Sequence, residues 1–234
     1  FWGAAYEHLF APLMAAIVDQ PAATATTNTP YPRSPIIRGV TFAPPEAIAR
    51  GALDSDNWPI TWADDGEQYT SYGDGWGFEP RVEKKLSLGL VKIIGGPDDF
   101  QGMNIRSETG EHTGDGQSGK KASGMLMVKG ILYMWLRNAN KHGEESQLAW
   151  SSDHGKTWEY CDWKFTEGFG CPTFLNFGKN YQGARDKFVY IYSFDEKSSY
   201  KPSDRMVMAR VNKNRISDRN EYEFLESVDL NGNP

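Results

Sequence analysis

Three stretches of this chain share one plan: a strand, a tight turn and a returning strand. A repeat of that kind limits the fold more than any single residue does. In the first stretch, Trp58 to Ala63 turns at Asp64-Asp65-Gly66 and returns from Gln68 to Gly73. Leu86 to Ile94 follows, turns at Gly95-Gly96-Pro97-Asp98 and leads into Met103-Asn104-Ile105-Arg106. In the second, Gly124 to Val128 turns at Lys129-Gly130 and returns as Ile131 to Leu136. Gln147 to Trp150 then enters Ser151-Ser152-Asp153-His154-Gly155-Lys156-Thr157-Trp158 and leaves through Glu159-Tyr160. The third contains Thr173 to Phe177, a longer turn with Gly178 and Gly183, Phe188 to Phe194, Arg205 to Val211 and Tyr222-Glu223-Phe224-Leu225. Tyr69, Tyr133 and Tyr190 occupy corresponding places in the second strand of each stretch.

This pattern predicts an all-β chain: a β-propeller of four-stranded antiparallel blades, with about three blades near residues 57–106, 122–166 and 172–228. An antiparallel sandwich shares the short strands and regular turns and is the competing architecture. Three blades do not close a ring, so the sequence reads as truncated at both ends. Ser34 to Phe42 reads as a lone strand completing a further blade, followed by Pro44-Pro45 and a helical turn from Glu46 to Arg50. Residues 1–33 read as a clipped signal segment and linker. Leu9 to Val18 is uncharged and too short to span a bilayer, Ala23-Thr24-Ala25 offers small residues for cleavage, and Pro21 to Pro32 has little to bury. A secreted or periplasmic protein is the expectation.

Within Ser151 to Trp158, Asp153 is placed to accept hydrogen bonds from its own turn. Gly155 is placed to take a positive φ, and Trp158 to pack beneath. The stretch resembles the Asp-box of sialidases and related β-propellers, Ser-x-Asp-x-Gly-x-Thr-Trp, matching at Ser151, Asp153, Gly155, Thr157 and Trp158. The resemblance implies a structural hairpin and names no reaction.

In a four-stranded meander, the turn between strands one and two shares an end with the turn between strands three and four. An Asp-box therefore marks one end, and the opposite end surrounds the concave mouth where ligands bind. On this filter Asp64 and Asp65 are turn formers. The residues brought forward are Asp56, Asn57 and Asp74; Lys120, Lys121, Arg137, Asn138 and His142; Glu167, Phe169, Asp195 and Tyr200; and Arg106, Glu108 and His112.

The stretch Asp56 to Phe78 resembles the first blade of propeller glycoside hydrolases of the arabinan-cleaving and invertase-like groups. Those proteins place an acid before strand one and Tyr/Phe-Gly-Asp at the end of strand two, matched here by Asp56 and Tyr72-Gly73-Asp74. Asp56-Asn57 departs from the Asn-Asp-Pro of the invertase-like pattern. The resemblance implies hydrolysis of glycosidic bonds in a polysaccharide or oligosaccharide by paired carboxylates. Asp56 or Asp74 would be base or nucleophile, and Glu167 the acid. Trp76, Phe78 and Phe169 would stack on sugar faces, Arg106 and Arg137 would hold an anionic group, and Asn57, Asn138 and His142 would line the substrate. The alternatives are a polysaccharide lyase acting on uronates through Arg106, Arg137, His112, His142 and Tyr200, and a non-catalytic glycan-binding propeller.

With 39% hydrophobic residues among 234, the chain has enough apolar material for a sizeable core, and its net charge of −6 argues against a nucleic-acid or anionic-membrane partner held by bulk charge. Cys161 and Cys171 are one bridge or two buried thiols. No metal or cofactor is expected. His8, His112, His142 and His154 are scattered, and Gly73-Asp74-Gly75-Trp76-Gly77 lacks the helix and Lys-Ser/Thr of a phosphate loop.

Overall fold

The computed structural model describes residues 34–227; the expected signal segment and linker, residues 1–33, lie outside them. Twelve strands form in chain order: β1 (Ile60–Trp62), β2 (Gln68–Tyr72), β3 (Gly89–Ile94), β4 (Gln101–Asn104), β5 (Lys121–Val128), β6 (Ile131–Arg137), β7 (Ser146–Ser151), β8 (Glu159–Tyr160), β9 (Thr173–Phe174), β10 (Phe188–Phe194), β11 (Met206–Asn212) and β12 (Glu223–Phe224). They make three four-stranded antiparallel sheets, β1 to β4, β5 to β8 and β9 to β12, each in sequence order. No α-helix occurs among the described residues.

The second sheet is packed on both faces, which explains why β5 and β6 read as nearly continuous apolar runs. Met125 and Met127 of β5 join Leu132, Met134 and Leu136 of β6 against Leu88 and Leu90 of the first sheet. Leu126, Val128, Trp135 and Leu148 face the opposite way, against Val189, Ile191, Ala209 and Val211 of the third. Burying each of these large side chains is worth roughly 1.5–3 kcal/mol, so the two interfaces fix the order of the sheets.

β1 packs beside β5, and β5 beside β9. Polar side chains join these inner strands. Thr61 Oγ1 donates to Asn176 Oδ1 at 2.8 Å and accepts from Met127 N at 2.9 Å, while Asn176 Nδ2 donates to the carbonyls of Met125 and Ile60.

One end of the assembly collects the tight turns. His154 Nε2 lies 2.8 Å from Asp64 Oδ1, joining turns of the first and second sheets, and Gly130 N donates to Asn180 Oδ1, joining the second and third. In the turn Ser151–Trp158, Asp153 accepts from Thr157 N and Thr157 Oγ1, Gly155 has φ 87°, and Trp158 Nε1 donates to Gly155 O. A second turn device recurs at this end. Asp65 accepts from Glu67 N and from the hydroxyl of Tyr69, and Asp186 accepts in the same way from Phe188 N and Tyr190. Tyr133 holds the equivalent place, but Lys129 stands where the acid would be.

The strand expected at Ser34 to Phe42 does not form. Ile36 is 86% and Phe42 78% exposed, and the segment pairs with no strand among the described residues. Alternating apolar residues are not enough, because a strand must hand its N–H and C=O groups to a neighbouring edge. The helical turn after it is a short 3-10 turn, Pro45–Ala47. Cys161 and Cys171 are both free thiols.

Candidate functional site

The site is built at the end away from the tight turns. Asp56 lies just ahead of β1, and its backbone pairs with Gly73 through Asp56 N to Gly73 O at 3.0 Å and Gly73 N to Asp56 O at 2.6 Å. This bridge sets Asp56 beside Asp74, the residue after Gly73. A Cβ on Gly73 would stand 2.9 Å from Asp56 Oδ1, so a side chain there would push that carboxylate out of place. Asn57, Asp74 and Asn138 all hold left-handed backbone, with φ of 65°, 46° and 57°. Such conformations are uncommon outside glycine and cluster at sites whose geometry the surroundings impose.

Lys121 opens β5, and its Nζ lies 2.6 Å from Asp74 Oδ1 with the side chain only 4% exposed. Its cross-strand partner is Arg137, so the two cations project from the same face of the sheet. The Arg137 guanidinium lies 5.8 Å from the centre of the Tyr200 ring, whose hydroxyl accepts from Asn138 Nδ2 at 2.9 Å. Asn138 is fully buried and also donates to Gly119 O.

Asp56 is the carboxyl whose proton affinity this environment changes. Burial pushes its pKa up, the Lys121 charge opposes that, Asp74 pushes up again, and Arg137 and Lys85 pull down. The side chain nevertheless keeps an exposed surface, so it remains open to a ligand. Nearby, His112 is held down to about 4 by burial and by Lys120 and Lys141, so its ring is neutral, 3.1 Å from the Tyr160 hydroxyl.

The structure brings together Asp56, Asn57, Asp74, Lys121, Arg137, Asn138 and Tyr200. Asn57 Nδ2 reaches Ala122 O, bridging the first two sheets. Trp76 is half-buried beside them in the chain, and its carbonyl accepts from Asn104 Nδ2. Phe78 packs into the first sheet against Trp58 and Phe100. Glu167 is exposed in the loop leading to β9; Asp195 Oδ1 stands 3.6 Å from where a Cβ on the next residue, Gly168, would be. His142 is exposed.

One sequence assignment is corrected. Phe169 does not stack on ligand: it is 3% exposed and packs against Trp135, Phe165 and Phe224 in the core between the second and third sheets. Arg106 is paired elsewhere, its guanidinium 2.7 Å from Glu111 Oε2. Arg106, Ser107, Glu108 and Glu111 line a separate depression of about 390 Å³.

Sequence reasoning missed Glu111, whose carboxyl burial pushes to about 7, with Arg106 opposing. The buried hydroxyl of Tyr72 belongs to the same cluster. His154, distant in the sequence from the adjacent Asp64 and Asp65, comes within reach of both at the opposite end. Asp65 there is already engaged, 2.9 Å from Lys92 Nζ.

No protein-family model matches the chain, and no curated protein matches it. Among solved structures it is similar to a GH43_1 enzyme from Xanthomonas citri, with a TM-score of 0.44 and 10% identity over 81% of this chain and 62% of that one. It is also similar to the endosialidase of phage phi92, with a TM-score of 0.38 and 18% identity over 74% of this chain and 26% of that one. The chain spans less than two thirds of the length of either protein.

Proposed function

We propose that the three sheets are blades of a β-propeller, that Ser151–Trp158 is its Asp-box, and that the chain hydrolyses glycosidic bonds in a polysaccharide at the Asp56–Asp74 mouth. The observation that carries this reading is the ion pair between Asp74 and buried Lys121, which engages one carboxylate and leaves Asp56 beside it as the group open to ligand.

Asp56 would take a proton from water as the water oxygen attacks the anomeric carbon. Its raised pKa makes it a stronger base than an ordinary aspartate. Asp74 acts on Asp56 through its charge, as a positioning and tuning residue. Glu167, entering from the third sheet, would pass a proton to the departing glycosidic oxygen, completing the two-carboxyl arrangement such hydrolysis needs. A polymeric substrate calls for a site outside the cytoplasm, in keeping with the secreted or periplasmic reading.

Elimination from a uronate is the second reading, favoured by the Arg137–Tyr200 contact, since an arginine beside a tyrosine suits removal of the proton next to a carboxylate. Incubation with a polysaccharide panel separates the two. Hydrolysis releases new reducing ends without the ultraviolet absorbance of an unsaturated uronate, and elimination produces that absorbance.

A further inference from the structure

We propose that the glycan bound at this mouth carries a carboxylate, as a uronate residue, and that Arg137 is the side chain that reads it. The inference rests on the reading of the mouth as the glycan site, but not on hydrolysis as its reaction.

The argument is one of unused charge. Lys121 is held by Asp74, and Lys85 lies 2.8 Å from Asp115. Lys164 lies 2.9 Å from Glu145, and Arg106 is held by Glu111. Arg137 forms no ion pair with any described residue, and its buried Nε donates to nothing among them; Arg106 Nη1 is also unpartnered, but its guanidinium already meets Glu111, and Lys120, likewise without an ion pair among the described residues, lies over the Tyr160 ring. Buried donors are almost always satisfied, so one left over at a mouth marks where something else supplies the acceptor.

The geometry suits a carboxylate. A guanidinium presents parallel N–H donors in a plane, matching the two oxygens of a carboxylate. The Tyr200 ring, itself anchored by Asn138, supports the guanidinium from one side. Arg137 stands opposite Lys121 on the strand pair and its charge is felt at Asp56, so a carboxylate seated on it would bind on the same side of the site as the acting carboxyl. A neutral sugar would leave the guanidinium without an anion.

The test uses galacturonate and glucuronoxylan oligosaccharides, each beside its carboxyl-reduced counterpart, which has the same linkages without charge. A sulfated carrageenan oligosaccharide serves as a non-carboxylate anion. Binding is measured by calorimetry on Asp56→Asn protein with Arg137 intact, replaced by Ala, or replaced by Lys, after thermal melting shows that each is folded. The expected result is that at least one uronate glycan binds about tenfold or more tightly than its reduced form. Arg137→Ala should abolish that preference and Arg137→Lys should keep part of it.

Equal affinity for charged and reduced forms overturns the proposal. So does a preference that survives Arg137→Ala, a preference for the sulfated glycan, or no binding of any probe. Uronate-selective binding without release of reducing ends by the unmodified protein upholds the proposal and overturns hydrolysis. Equal cleavage of charged and reduced glycans does the reverse.

Discussion

Lys121 Nζ and Asp74 Oδ1 lie 2.6 Å apart, and this contact joins the first strand of the second sheet to the loop that leaves the second strand of the first. The lysine is 4% exposed and the aspartate 31%, so a cation withdrawn from water is balanced by an anion that keeps some hydration. Asp56 sits beside both charges and responds to each. The pair therefore does two things: it fixes the orientation of adjacent sheets, and it sets the basicity of the neighbouring carboxyl.

Lys121→Met removes the cation that most lowers the pKa of Asp56. Asp56 acts as a base only when ionised, so the acidic limb of kcat/KM moves to higher pH. Asp74→Asn removes a charge that raises the same pKa, and the limb moves to lower pH. A pH–rate profile on any cleaved substrate checks both directions. Removing Lys121 also leaves part-buried Asp74 without its partner, and chemical denaturation should show a loss of about 3 kcal/mol.

Glu167→Gln tests the proton donor by leaving group. A glycoside with an activated aryl leaving group departs without protonation, so the variant should cleave it at nearly the normal rate while losing about 100-fold or more on the polysaccharide. Equal losses on both substrates would remove Glu167 from that role.

Glu111 makes stability depend on pH. Its carboxyl is raised from 4.5 to about 7 in the folded chain, so the folded state holds a proton that the unfolded state has released. That contribution is complete below pH 4.5 and is lost as pH rises through about 7. The stability of the native protein relative to Glu111→Gln should therefore fall across this interval, as read from denaturation midpoints at stepped pH.

Phe169→Ala separates core from ligand contact. A buried aromatic reduced to Ala costs about 3–5 kcal/mol. The variant should melt earlier, while KM measured below its transition stays close to that of the unmodified protein.

The sheets were legible because β5, β6 and β10 carry their burial in their own patterns, and because turn residues such as Gly66, Gly130 and Gly155 mark where the strands reverse. The lone strand at Ile36 to Phe42 was misread because apolar alternation says nothing about whether a partner edge is present. Asp56 and Asp74 could be brought together from strand order alone. Lys121 could be placed at the same end, but its choice of Asp74 over Asp56 depends on a 2.6 Å contact that no spacing encodes. Phe169 differs from its expected place for a related reason: a residue in the loop ahead of a strand can turn inward, and only packing decides. Glu111 gave no signal, since its shift comes from burial created by residues distant in sequence.

The most direct measurement is release of reducing ends from a polysaccharide panel by the native protein and by Asp56→Asn, with matching circular dichroism and melting for the two. Hydrolysis at this mouth predicts activity on at least one glycan that falls by about 1,000-fold or more in the variant while the fold is unchanged. Full activity in folded Asp56→Asn, or no release from any glycan by the native protein, would contradict it.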